Sequence, residues 1–331
     1  VKNIRKMVAA AMISIFAVGA VGCGMITKTE AGVKKSPVAK FDNTTITRGQ
    51  LDERMLGVQE SFKAQFGENY MSNADAKEQY KAQQKQMLDN LITEKILLNK
   101  ATALKLVPAD EAGKTELMNK KLEELKQMYT EDIVKKSGFS GGYEDPKFKE
   151  YARDIAIMDK VYENMIKDAA VTDQQAQDYY TANQLQFTEQ PNMIKLAHIL
   201  VGTEDEAKKV KERLGKGEDF AKLAKELSTD TGSKDNGGEY EVPYVGSGFD
   251  QTFMTAAMAQ GEGQISAPIG TQFGFHVIKT IKKTEYPVKK FDTVKEEIKT
   301  ALLTENQQSK YLETMSKWRE EAKIKYYDDN L

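Results

Sequence analysis

The 331 residues include one cysteine, two histidines, one tryptophan and seven prolines. A lone cysteine has no internal partner, so a disulfide framework is excluded. Two histidines and one cysteine fall short of the three or four protein ligands that zinc usually takes, and no carboxylate spacing completes a set. No metal and no cofactor is therefore expected. Glycine (23) and proline are too sparse for a fibrous or low-complexity chain. The 48 Lys and Arg against 50 Asp and Glu leave a net charge of −2, without the basic excess of a nucleic-acid binder. No nucleic-acid partner is expected. The loop-like run GSKDNGG lacks the strand–loop–helix setting of a phosphate-binding loop. No triad-like set accompanies either histidine, which argues against peptide hydrolysis.

Long apolar runs are also scarce. The one near the beginning, Met7 to Val21, is too short to span a bilayer comfortably. Lys2, Arg5 and Lys6 precede it, and small residues close it, which is the pattern of a signal peptide over residues 1–22. The next residues, AVGC, present Cys23 and resemble a bacterial lipobox, with Ala20 standing where leucine is usual. That resemblance implies lipid attachment at Cys23, a tether over residues 23–40 and a location on the outer face of the cell membrane. An ordinary secretory peptide or membrane anchor, with Cys23 incidental, is the alternative.

What the chain has in quantity is helix-forming sequence. Thr47 with Gln50 three residues on, and Thr172 with Gln175, are capping-box pairs that open helices. Residues 73–106 read as one long amphipathic helix whose stripe takes Tyr80, Gln84, Met87, Leu91, Ile92 and Ile96. Further helices follow Pro108 and the loop SGFSGGYEDP. Residues 41–190 are thus assigned to the N-terminal part of a helical domain. These stripes serve as packing surfaces, or as the lining of a groove for apolar peptide segments.

The pattern changes near Pro191. MIKLAHILV is a strand rich in branched residues, followed by two helices, a loop-rich stretch with a short strand near Glu239, a short helix and two closing strands. The order β-α-α-β-α-β-β over residues 193–285 predicts an α+β domain with helices on a small antiparallel sheet. Residues 288–331 return to helix, with a stripe of Phe291, Val294, Ile298, Leu302 and Leu303 that needs a partner. The expectation is that this helix rejoins the helical domain, so that the α+β domain is inserted in it or flanked by it.

The pieces IKLAHILV, AKKVKERLGKGEDFAKLAKELSTD, KDNGGEY, SGFDQTFMTAAM and GQISAPIGTQFGFHVIK stand in the order found in parvulin-type peptidyl-prolyl isomerase domains, which this segment resembles. With the lipobox and helical flanks, the whole chain resembles the extracytoplasmic foldase lipoproteins of Gram-positive bacteria. The resemblance implies a parvulin-like sheet and a catalytic set of His198, Asp230, His276 and Thr271. It places Phe249 and Phe253 around the substrate proline, and Met258 is added as a third apolar wall. It further implies a chaperone-like helical domain and clients that are unfolded or partly folded exported polypeptides with X-Pro bonds. A non-catalytic chaperone or assembly lipoprotein with a vestigial isomerase domain is the alternative. Whether two chains form a homodimer is left open. The segment Gly237-Gly238-Glu239-Tyr240-Glu241 departs from the usual Gly-Gly-Asp-Leu-Gly, and Phe249 stands where methionine or leucine is usual.

Overall fold

The computed structural model describes residues 30–331. The signal-like segment, Cys23 and the front of the expected tether lie outside them. The chain divides into two compact units: residues up to Ala170 with Leu303–Leu331, and Val171–Leu302. Among the described residues no helix is long and apolar enough to cross a membrane.

The first unit is mainly helical but starts with strands. β1 (Pro37–Phe41) and β2 (Thr44–Thr47) form an antiparallel hairpin. Its turn is Asp42-Asn43, with Asp42 at φ 46°, a backbone shape that Asp and Asn adopt more readily than most residues. Val38, Ala39, Phe41 and Ile46 are buried. The tether expected over 23–40 is therefore corrected at its far end, because residues 37–40 belong to a core strand. β1 is flanked by lysines, which made it read as solvated linker.

Helix α1 (Arg48–Phe66) follows, and Thr47 and Gln50 form both halves of the capping box. α2 (Ala74–Ala103) buries Tyr80, Gln84, Leu91, Ile92 and Ile96, while Leu88 takes the place expected for Met87, which is only partly buried. α3 (Glu111–Met128), α4 (Glu131–Lys136) and α5 (Pro146–Ile166) complete the bundle, with Asp110, Thr130 and Asp145 accepting from the first-turn amides. The hairpin sheet is closed from far along the chain. β7 (Lys325–Tyr326) pairs with β1, giving the order β2-β1-β7. Asn330 donates to the Pro37 carbonyl at 2.7 Å, and Arg319 bonds Asp89 at 2.8 Å.

The second unit opens with α6 (Asp173–Ala182), capped by Thr172 and Gln175. Then come β3 (Met193–Val201), α7 (Glu204–Gly215), α8 (Phe220–Leu227), β4 (Glu239–Pro243), α9 (Gln251–Ala259), β5 (Ile269–Thr271) and β6 (Gly274–Thr284). The strands make one antiparallel sheet in the order β4-β3-β6-β5. This is the expected α+β arrangement. Alternate residues of the central strands serve two cores. Ala197, Ile199, Val201 and Val277 pack with Val210, Phe220 and Leu223 of α7 and α8. Ile194, Leu196 and Ile278 pack with Phe253 and Met254 of α9.

The C-terminal helix α10 (Phe291–Glu321) is shared between the units. Val294 and Ile298 form a small core with Ala176 of α6, and Lys299 bonds Asp173 at 2.7 Å. Met315 and Ala322 belong to the core of the first unit. The single piece expected over 288–331 is thus corrected: its first three turns complete the unit that contains the sheet. That unit also takes residues 171–190, expected in the helical domain.

Candidate active site

β3 and β6 pair so that His198 faces Ile278 and Leu200 faces His276. The two histidines are diagonal neighbours on one face of the sheet, within reach of long flat side chains. Their Nδ1 atoms lie 3.1 Å apart, and the rings are nearly parallel, with 19° between planes and 5.3 Å between centroids. Both are buried, at 4% and 5% exposure.

Asp230 and Thr271 close the two ends of this pair. His198 Nε2 is 2.8 Å from Asp230 Oδ2, and Thr271 Oγ1 is 2.8 Å from His276 Nε2. The order of protons follows from the chemistry of the groups. An ionised Asp230 only accepts, so His198 Nε2–H donates to it. The neutral His198 then has a bare Nδ1, which accepts from Nδ1–H of His276. The bare Nε2 of His276 accepts the Thr271 hydroxyl proton. Phe273 N–H donates to the Thr271 oxygen at 3.1 Å, which orients that hydroxyl. Each proton thus points toward Asp230.

The titration directions agree with this order. Burial pushes the His198 imidazole below its ordinary value, and the adjoining Asp230 only partly offsets it. Burial and then the neighbouring His198 push His276 down to about 4, against the pull of Asp250 and Asp230. Both rings are neutral at pH 7. Burial pushes Asp230 upward, but hydrogen bonds from Ser233, His198, the Gly232 amide and Tyr240 outweigh it and hold the carboxyl at about 2.

The apolar side of the site comes from α9 and the residues before it. Asp250 caps α9, accepting from Thr252 N–H at 2.8 Å and Phe253 N–H at 3.2 Å. Phe253 is 1% exposed and meets both imidazoles edge-on, at 5.3 Å from His198 and 5.0 Å from His276. Phe249 stacks on Phe253 at 5.4 Å. Met258 lies at the partly buried margin of the same cluster. The sheet register and α9 thus bring His198, His276, Asp230, Thr271, Phe249 and Phe253 together, with Met258 at the edge. Cys23 lies outside the described residues.

Three residues in this network were not singled out from sequence. Ser233 is 1% exposed, donates to Asp230 at short range and lies 3.2 Å from His198 Nε2. Nothing in its sequence neighbourhood marks it. Tyr240 donates to Asp230 Oδ2 at 3.0 Å. Its signal was the departure of Gly-Gly-Glu-Tyr-Glu from the usual pattern. Gly238 sits at φ +82°, and its carbonyl accepts from His198 N–H at 2.9 Å. A Cβ there would lie 2.2 Å from the His198 carbonyl oxygen, so only glycine lets this loop close on β3. Among the described residues no group of three or more His, Cys, Asp or Glu is placed to hold a metal ion.

Comparison with known proteins bears on both units. A family model described as PPIC-type PPIASE domain matches residues 198–282, and one described as SurA-like N-terminal domain matches residues 1–177. Foldase protein PrsA of Clostridium botulinum strain Okra is 46% identical over 335 residues, covering 100% of this chain and 99% of the relative. Foldase protein PrsA of Clostridium kluyveri is 42% identical over 339 residues, with the same coverage. Among solved structures, the peptidylprolyl isomerase (PrsA) of Bacillus cereus is similar at 26% identity and a TM-score of 0.40, covering 90% of this chain and 96% of that one.

Proposed function

This chain belongs to the PrsA family of foldases, and from that premise we propose that its isomerase chemistry runs on His198, His276, Asp230 and Thr271 beside a wall of Phe249, Phe253 and Met258. The chain is an extracytoplasmic foldase with a peptidyl-prolyl cis–trans isomerase domain, and it acts on exported polypeptides.

Rotation about an X-Pro bond crosses a barrier of about 20 kcal/mol, and no bond is broken. Twisting removes the resonance that places partial charge on the amide oxygen and nitrogen, so the twisted amide is less polar than the planar one. A dry apolar site therefore favours it, which is the sense in which the site binds the transition state better than either ground state. Phe249, partly buried, supplies the open part of that surface, and the fully buried Phe253 ring backs it and separates it from bulk water. The neutral imidazoles add no positive charge to the site. The fixed order of donors keeps both ring N–H groups and the Thr271 hydroxyl engaged with one another, so the polar path need not reorganise as the amide twists.

The observation that carries this reading is the unbroken hydrogen-bond path Thr271–His276–His198–Asp230 along the face that bears Phe253. The test is an X-Pro isomerisation assay on residues 30–331 with wild type and His276→Ala. A folded variant with an undiminished rate would overturn the catalytic assignment.

The helical unit supplies the holding part of the same proposal. A cleft of about 270 Å³ lies among Ile46, Leu91, Phe139, Tyr151 and Met158, with Glu94 and Asp154 at its walls. A pocket of this size, with both apolar and charged walls, suits one or two side chains of a passing segment and not a whole extended stretch. Lipid attachment at Cys23 would keep both units at the outer membrane face. The short apolar run ending in AVGC supports it, and two or more acyl chains give stable anchoring. Release of a Cys23→Ala variant from the membrane fraction is the expected result.

A further inference from the structure

Tyr240 lies in β4 opposite Leu196. Its hydroxyl donates to Asp230 Oδ2 at 3.0 Å, while its ring stands edge-on to Phe249 at 5.0 Å and 5.6 Å from His198. One side chain therefore touches the carboxylate that ends the imidazole path and the aromatic wall beside it.

The turn that carries Asp230 is shaped around that hydroxyl. Gly232 N–H donates to Asp230 Oδ1 at 3.1 Å, and a Cβ on Gly232 would lie 2.7 Å from the Tyr240 oxygen. The same Cβ would lie 3.9 Å from the ring carbon that bears the hydroxyl, an ordinary contact. A side chain at Gly232 would thus displace the Tyr240 oxygen while meeting its ring carbon and, at 3.4 Å, Asp230 Oδ1 in ordinary contact. The two carboxylate oxygens are held from different sides: Oδ1 by the Gly232 backbone, and Oδ2 by His198, Ser233 and Tyr240.

We propose that Tyr240 is a positioning residue of the isomerase site, whose hydroxyl fixes Asp230 in the orientation that receives His198 Nε2–H and whose ring ties that carboxylate to the Phe249 wall. This rests on the reading of His198, Asp230 and His276 as the catalytic set. Asp230 is 22% exposed at its side chain, and Tyr240 covers it from the β4 side. Without the hydroxyl, Oδ2 keeps two donors, and water competes for the direction left vacant. The acceptor for His198 then loses its single orientation, and the proton order along both imidazoles loosens with it. The groups that face this carboxylate are His198 from β3, Tyr240 from β4, and Ser233 and the Gly232 amide from its own loop. Asp250 adds charge near His276.

The test uses residues 30–331 as wild type, Tyr240→Phe, Gly232→Ala and the double variant, read by kcat/KM against pH, by the NMR titration of the Asp230 carboxyl and by thermal melting. Tyr240→Phe is expected to keep the melt, because the ring packing stays. It is expected to lower kcat/KM roughly three- to tenfold. It should also raise the Asp230 midpoint above about 2 and carry the acid limb of the rate profile upward. Gly232→Ala should reproduce both changes by displacing the hydroxyl, and should add nothing in the Tyr240→Phe background. An unchanged kcat/KM in Tyr240→Phe overturns the proposal, as does a Gly232→Ala effect that adds in full to that of Tyr240→Phe. Failure of the underlying reading is seen separately, as a wild-type chain without isomerase activity, and the Asp230 midpoint still decides whether Tyr240 holds the carboxylate.

Discussion

The ring of Phe253 stands edge-on to the imidazole of His276, with centroids 5.0 Å apart and planes at 74°. The partly positive edge of one ring thus faces the π-cloud of the other, which fixes the depth of the apolar wall relative to the polar path. Phe253→Ala removes a large, fully buried side chain, and the expected loss is about 3–5 kcal/mol in stability, read by denaturant unfolding. Phe253→Leu should recover most of that loss while leaving isomerisation impaired. A leucine variant with wild-type kcat/KM would show that the wall need only be apolar.

Asp230→Asn keeps the shape of the side chain but replaces an acceptor-only group with one that also donates. Ser233, Tyr240 and the Gly232 amide all aim protons at this position. The expected result is a loss of isomerisation of roughly tenfold or more, with a smaller change in melting temperature. The His198 Nε2–H resonance should shift, because its charged acceptor is gone.

Thr271→Val removes the one hydroxyl that donates to His276 Nε2 while keeping the volume. A bare ring nitrogen is then left without a donor in a buried place, at a cost of about 1–3 kcal/mol. Thr271→Ser should behave as wild type. Equal rates in the valine and serine variants would remove Thr271 from the network.

The pH dependence has a definite sign. The His276 folded-state value is about 4, below the ordinary 6.5, because burial and the adjoining His198 disfavour its cation. The unfolded chain therefore takes a proton that the folded chain refuses as pH falls below about 6.5. The stability from His276 is present in full above that pH, declines on acidification and is lost as pH passes through about 4. Asp230, held at about 2, contributes stability that is present above the ordinary carboxylate range and lost only as pH falls through about 2. A melting series from pH 8 to pH 3.5 should decline most between pH 6.5 and 4, and His276→Asn should flatten that part of the curve.

Truncation after Lys323 removes β7, the Tyr327 N–H bond to Val38 and the Asn330 bond to Pro37. The first unit should melt at lower temperature while the X-Pro isomerisation rate stays near wild type, since every strand of the second sheet lies within residues 193–284. Parallel loss of both would mean that the two units do not unfold independently.

The candidate site was legible from sequence in its two histidines and, for its other members, in the order of the motifs around them. His198 and His276 stood out as the only histidines, each in a strand-like run, while Asp230, Thr271, Phe249 and Phe253 followed only from the resemblance to parvulin-type domains. The direction of the proton path needed the strand register, because diagonal pairing and not sequence spacing puts Nδ1 against Nδ1. Ser233 and Tyr240 reach Asp230 through an irregular loop, where no periodicity marks a side chain's direction. The hairpin at Pro37–Thr47 was obscured by the lysines around it, and the two residues of β7 are too few to show any alternation. In α10 the apolar stripe continues past Leu302, so its pattern could not reveal that Ile298 and Met315 serve different cores.

The three-stranded sheet of the helical unit has its middle strand at residues 37–41 and one edge at residues 325–326. A chain delivered from its amino end across a membrane must therefore carry that middle strand half-covered while nearly three hundred further residues emerge. The isomerase sheet spans less than a third of the chain, and its last strand ends at Thr284, about forty residues before β7 begins. The proline-handling unit is thus able to mature while the rest of its own polypeptide is still waiting for its last strand.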